Sequence, residues 1–204
     1  MNITASPEET TRDGTLHHLG TAAIYTVVTV IVLGIVYPLV MTGIAQLLFP
    51  RQANGSLVTI NGKVVGSSIV GQLWSKPQYF QGRPSAAGKG YDPTSTGGTN
   101  LAPTSKKLID ATRATIAALR KANPNATGPI PMDLVTSSAS GIDPDISPQA
   151  AYYEAPRVAA ARRTTVDAID RVIAAHVRGR QFGFLGEPRV NVLELNLALD
   201  RAEP

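Results

Sequence analysis

Residues 23–41 read AIYTVVTVIVLGIVYPLVM, and none of the 32 positions from Leu19 to Pro50 is Asp, Glu, Lys or Arg. About 20 such residues are enough for an α-helix to cross the hydrocarbon core of a bilayer. A cleaved signal peptide has a basic start, an apolar run of roughly 7–15 residues and a small-residue cleavage site. Here the start carries Glu8, Glu9 and Asp13 against Arg12, the run is too long, and Gly43-Ile44-Ala45 is a poor cleavage site. The pattern predicts a short tail over 1–18, a retained membrane helix over 19–49 and one soluble domain over 50–204. Gly34 and Pro38 lie one turn apart inside the run. Proline lacks an amide proton and crowds the carbonyl four residues back, so this pair predicts a kink in the span and a freed carbonyl. Ala22, Ala23, Gly34 and Gly43 would let a second helix approach closely. Orientation is left open by the flanks, with Arg12 on one side and Arg51 and Lys63 on the other.

A chain of 204 residues has room for this span and one ordinary domain. The absence of cysteine excludes disulfides, thiolate nucleophiles, cysteine-ligated metals and a cysteine-linked lipid anchor. Residues 51–204 carry 18 Lys and Arg against 12 Asp and Glu. This mild excess is not clustered into basic stripes with stacking aromatics, so it suits lipid head groups or an acidic partner better than nucleic acid.

Within the domain, LVTINGKVVGSSIVGQLW predicts two strands joined by Asn61-Gly62, a pair that tolerates the positive φ angles of a tight hairpin turn. Residues 75–100, rich in Gly, Pro, Ser, Thr and Tyr and without periodicity, predict a long loop, and loops of that length are commonly functional. A helix is expected from about Thr104, with Leu108, Ile109, Ile116 and Leu119 toward one side, ending by Pro124. In the stretch after Pro131 a short apolar strand and a hydroxyl-rich turn should lead to Ser147-Pro148, a favourable helix start. Pro156 should break or kink that helix early. Val166, Ile169, Ile173 and Val177 mark the core face of a further helix, and the alternation of Leu193, Leu195, Leu197 and Leu199 with Glu194, Asn196 and Ala198 predicts a half-buried strand. The fold class is α+β: one N-terminal membrane helix followed by a single soluble domain.

Candidate chemistry is sparse. GRPSAAGK (82–89) has five residues between its glycines where a P-loop needs four, and Gly90 where it needs Ser or Thr. Asp133, Asp143 and Asp145 lie near Ser137, Ser138 and Ser140, yet a nucleophilic triad needs a base, and His176 is the domain's only histidine. Asp143-Pro144-Asp145 reads more simply as turn chemistry. His17 and His18 precede the span as neighbours facing different ways, without a third metal ligand nearby.

The segments GSSIVGQ (66–72), YFQGRPSAA (79–87), GYDPTSTGGTNLAP (90–103), MDLVTSSASGIDPDISP (132–148) and LGEPRVNVLELNLALD (185–200) follow one another after a single membrane helix. In this series the chain resembles the C subunit of the bacterial Kdp potassium-transporting ATPase. The resemblance implies an accessory, non-catalytic subunit of a high-affinity, ATP-driven potassium uptake complex. Its partners would be a channel-like potassium-binding subunit, a P-type ATPase subunit and the lipid bilayer. The chain itself would bind no cofactor firmly, and the complex would handle ATP and potassium. The family is also described as a catalytic chaperone that raises the ATP affinity of the ATPase subunit. By the same resemblance the chain sits in the inner membrane, its amino terminus cytoplasmic and its domain outside. No catalytic residues come with the resemblance, so the candidate partner contacts are those of the loop words: Gly82, Arg83, Pro84, Ser85, Ser138, Ser140 and Asp143. Pro156 departs from the unbroken helix that the family has after its Ser-Pro start. Two other classes remain as alternatives: an anchored extracytoplasmic hydrolase using Ser138 or Ser140 with Asp143 and His176, and a solute-binding module.

Overall fold

The computed structural model describes residues 12–202, so most of the expected tail lies outside the described residues. Helix α1 (Arg12–Ile31) begins inside the stretch read as tail and continues, through a π-helical segment at Val32–Val36, into α2 (Tyr37–Leu48). Residues 14–48 form one helix, long enough to cross a membrane and reaching a mean hydropathy of 2.4 over its most apolar 18 residues. Around Gly34, one turn before Pro38, the helix is π-helical over Val32–Val36. The amide of Tyr37 donates to the carbonyl of Val32, five residues back. A π-turn is how a helix absorbs a residue that cannot join the i→i−4 ladder. Thr42 Oγ1 donates to the Pro38 carbonyl at 2.7 Å, one turn back in the helix. The helix ends at Phe49, and α3 (Pro50–Ala53) follows as a single turn.

The chain divides into two compact units between Gly55 and Ser56. The second opens with the expected hairpin: β1 (Leu57–Ile60) pairs antiparallel with β2 (Lys63–Ser67). Asn61 and Gly62 both have positive φ, +50° and +76°, as the Asn-Gly turn requires. Residues 75–100 contain neither helix nor strand, and α4 (Lys106–Ala122) follows Ser105. Leu119 is buried in α4, whereas Ile109 is 38% exposed, so the inward face is narrower than the sequence suggests.

Three expectations are corrected. The apolar strand expected after Pro131 is a short 3-10 turn, Met132–Leu134, and the only strand in that stretch is β3 (Asp145–Ile146). Leu134 alone of the three is buried; Met132 stands 75% exposed, so no pleated face forms. Second, α5 (Pro148–Arg162) runs unbroken past Pro156. Ser147 caps it as expected, its Oγ accepting from the Ala150 amide at 3.1 Å. Ala155, Arg157, Val158 and Ala159, on either side of the proline, are all buried, and this packing outweighs the one backbone bond that proline removes. Helix α6 (Val166–His176) and the short β4 (Val177–Arg178) and β5 (Arg189–Asn191) follow.

The third correction is α7 (Val192–Ala202), which stands where a strand is expected. Asn191 Oδ1 accepts from the Glu194 amide at 3.1 Å, an N-cap with Glu at the third helical position. Val192, Leu195, Asn196 and Leu199, spaced at i, i+3, i+4 and i+7, are buried together with Leu193 and Leu197. A helix buried on most of its circumference carries apolar residues at so many positions that an alternating pattern appears by coincidence. The small antiparallel sheet has the order β3-β5-β4. Its central residue Val190 joins Ile146, Val158, Ile173 and Leu195 in the core, with α5 packed on α6 and α6 on α7.

Candidate functional site

The loop words meet in space. Arg83 reaches from the 79–87 segment into the 136–143 segment: Nη1 donates to Asp143 Oδ2 at 3.1 Å, Nε to the Thr136 carbonyl at 3.3 Å and Nη2 to the Ser137 carbonyl at 3.3 Å. Ser85 Oγ donates to the Gly141 carbonyl at 2.6 Å while accepting from the Tyr91 amide at 2.8 Å. Tyr91 turns its phenol back to donate to the Arg83 carbonyl at 2.6 Å. Burial, with the Asp143 charge adding to it, pushes that phenol up to about 12.

Glycine is required where these segments touch. A Cβ on Gly82 would lie 2.3 Å from Tyr91 Oη. At Gly141, which has φ +71°, it would lie 2.7 Å from the Gly97 carbonyl. The candidates Arg83, Ser85 and Asp143 are thus one hydrogen-bonded knot, Gly82 lies close against Tyr91 within it, and Pro84 lines the clefts beside it. Ser138 and Ser140 shape the turn between its two halves. Ser138 Oγ accepts from the Gly141 amide at 2.9 Å, Ser140 Oγ accepts from the Ile142 amide at 3.3 Å, and the two hydroxyls are 3.4 Å apart.

His176 is not brought to these serines. Its Nδ1 lies 2.7 Å from the Val172 carbonyl one turn back in α6, and Asp143 is held by Arg83 and by the Asp145 amide. A hydrolytic triad needs serine, imidazole and carboxylate hydrogen bonded in series, and these residues are bonded elsewhere.

A second polar lock, with no motif to announce it, fixes residues 77–81. Glu154 and Arg157, one turn apart on α5, pair at 2.6 Å with side chains 0% and 6% exposed. Arg157 also donates to the carbonyls of Pro77 and Tyr79 and to Asn123 Oδ1, and Glu154 accepts from the Gln81 amide at 2.9 Å. Burial raises the Glu154 carboxyl above its ordinary range, against the lowering effect of Arg157. From α7, Asn196 accepts from the Phe80 amide at 2.8 Å and donates to its carbonyl at 3.0 Å. The available signals were a Glu and an Arg at i, i+3 and a lone Asn among leucines.

Beside the knot lies an open cleft of about 480 Å³ lined by Arg83, Asp133, Asp143, Asp145 and Arg189 among others. Its charges are paired: Arg189 with Asp145 at 3.0 Å and Arg83 with Asp143. Asp133 accepts from the amide and hydroxyl of Ser147, and Asn191 Nδ2 bridges Asp145 and the Ser68 carbonyl. Desolvation raises the Asp145 carboxyl, with Asn191 and Arg189 opposing it.

Fold and site define a single-span type of membrane protein whose α+β domain is built around long loops tied down by their own side chains. A family model described as K+-transporting ATPase, c chain, matches residues 19–201. Among curated proteins the chain is 55% identical to the potassium-transporting ATPase KdpC subunit of Acidobacterium capsulatum, over 91% of this chain and 99% of that one. It is 50% identical to the KdpC subunit of Koribacter versatilis (92% and 96%) and 54% identical to that of Myxococcus xanthus (86% and 83%). The chain belongs to the family of the K+-transporting ATPase c chain.

Proposed function

We propose that this chain serves an ATP-driven potassium transporter as a non-catalytic accessory subunit, assisting assembly and the coupling of ATP hydrolysis to transport. The observation that carries this reading is the use of the polar side chains in the loop words. Arg83, Ser85, Ser138, Ser140 and Asp143 are committed to holding loops in place, which suits a preorganised docking surface better than a reacting centre. Its partners are the channel-like potassium-binding subunit and the P-type ATPase subunit. The larger subunits handle ATP and potassium, and this chain binds no cofactor firmly. The amino terminus is cytoplasmic and the domain lies outside the inner membrane, in line with a charge-free helix that large following domains can trail across a bilayer.

Copurification tests this reading. A tagged full-length chain is expected to bring down two much larger membrane proteins from detergent extract, whereas isolation as a stable lone monomer would contradict it. His176→Ala is expected to leave potassium transport intact, because its ring bonds within its own helix.

A further inference from the structure

The positive excess of residues 51–204, 18 Lys and Arg against 12 Asp and Glu, is gathered largely on one helix. Helix α4 carries Lys106, Lys107, Arg113, Arg120 and Lys121 against Asp110 alone, which leaves 13 cations and 11 carboxylates for the rest of the domain. Helical spacing brings the five to one side. Lys106, Arg113 and Arg120 recur every seven residues, and Lys107 and Lys121 stand fourteen apart beside them, in two adjacent rows about 20 Å long. The opposite side, with Leu108, Thr112, Thr115 and buried Leu119, faces the domain. All five cations are exposed. Asp110 pairs with Lys106 and lies 4.0 Å from Arg113. Among the described residues Lys107, Arg120 and Lys121 make no ion pair and no side-chain hydrogen bond. Elsewhere in the domain six arginines each pair with a carboxylate, so α4 is where positive charge is left over.

Helix stability does not account for this placement. Arg120 and Lys121 suit the C-terminal end of the helix dipole, but Lys106 and Lys107 stand in the first turn, where the dipole favours carboxylates and none is present. A face of this kind selects a dense negative surface. Between and within its rows the uncharged positions are Ala114 and Ala117. It therefore lacks the aromatic or large aliphatic anchors that carry protein interfaces, in which lysine is moreover depleted. An anionic bilayer asks for neither anchor nor fixed geometry: long cationic side chains gather acidic head groups, and small alanines let the helix lie flat. The apolar side of α4 is turned to its own domain, so the contact is electrostatic and involves no insertion. We propose that α4 is a docking face for anionic phospholipid head groups, engaged through Lys107, Arg120 and Lys121 with Lys106 and Arg113 beside them. In a chain tethered to a bilayer by its own helix, even a weak contact is reinforced by high local concentration.

The chain has no cysteine, so a label at exposed Ala117 (A117C), within the basic face, is unique. The full-length protein carrying a fluorophore there would be reconstituted in vesicles of phosphatidylcholine alone or mixed in equal parts with phosphatidylglycerol, each containing a lipid with a nitroxide quencher on its head group. Quenching should be about twofold or more stronger with phosphatidylglycerol. It should return to the phosphatidylcholine level in about 0.5 M salt, where exposed charges are screened beyond roughly 4 Å. Adding K107Q/R120Q/K121Q, which removes charge but keeps good helix formers, should leave melting like that of the A117C parent and abolish the response to phosphatidylglycerol. Equal quenching in the two lipids, or a response that ignores salt or survives the triple substitution, would overturn the proposal. So would shielding of the label from aqueous iodide that arises only when the two large subunits are added, since that would place a protein over α4. Should the triple variant melt early, the lipid and salt responses of the A117C parent decide the matter by themselves.

Discussion

Two arginine–carboxylate pairs tie down neighbouring stretches of the same irregular segment, and they differ in burial. Arg83–Asp143 joins two loops with side chains 25% and 29% exposed, while Arg157–Glu154 lies almost wholly inside and holds residues 77–81 from beneath. The half-exposed pair sits among words that look functional in the sequence. The buried pair sits in a helix that looks ordinary. Stability should follow burial instead of conspicuousness. A buried pair that loses one partner strands a charge and several backbone groups, whereas a half-exposed pair can turn to water.

The largest effect is therefore expected at Arg157. Arg157→Ala should destabilise the domain by about 3–5 kcal/mol at neutral pH, read by denaturant unfolding of the full chain in detergent. The loss should shrink on acidification. The Glu154 carboxyl is already raised by burial and takes up a proton more readily once its partner is gone, so the stranded charge disappears as pH falls. Next comes Asn196→Ala, which removes the partners of both the Phe80 amide and carbonyl and should cost about 2–4 kcal/mol. Arg83→Ala should cost less, about 1–2 kcal/mol. A double-mutant cycle with Asp143→Ala should return a coupling of roughly 1 kcal/mol or below. Equal losses at Arg83 and Arg157 would erase the distinction.

The smallest effect sharpens the same contrast through pH. The Tyr91 phenol has a folded-state value raised to about 12 from the ordinary 10, so the native state holds its proton where the unfolded chain releases it. The stability this group contributes is present below pH 10 and is lost as pH rises through about 12. Phenolate absorbance should show a late-titrating tyrosine that Tyr91→Phe removes. A titration of Tyr91 near its ordinary value would mean that the knot around Arg83 is open to water.

What the sequence made legible follows from how local each cause is. The membrane helix, the Asn61-Gly62 hairpin, the Ser147 cap and the helices over 106–122 and 166–176 each rest on residues within one or two turns of each other, and all are present. The strand expected over 193–199 fails because alternation and helical spacing coincide in a helix buried nearly all round. The Asn191 cap with Glu194 three residues on pointed to helix from the start. Pro156 misleads because its effect is decided by the packing of Ala155, Val158 and Ala159, which no window of sequence displays. The candidate contacts Gly82, Arg83, Ser85 and Asp143 do come together, but the Glu154–Arg157–Asn196 lock joins residues 73 to 116 positions from the segment it holds, and only the fold brings them there.

The central claim, an accessory part in potassium transport, is tested most directly by the potassium-stimulated ATPase activity of the detergent-solubilised complex, prepared with and without this chain and checked for assembly on a gel. The account predicts that activity falls when the chain is omitted: with assembly intact if it couples or regulates, and together with assembly if it is a scaffold. Full activity of an intact complex lacking the chain would contradict it.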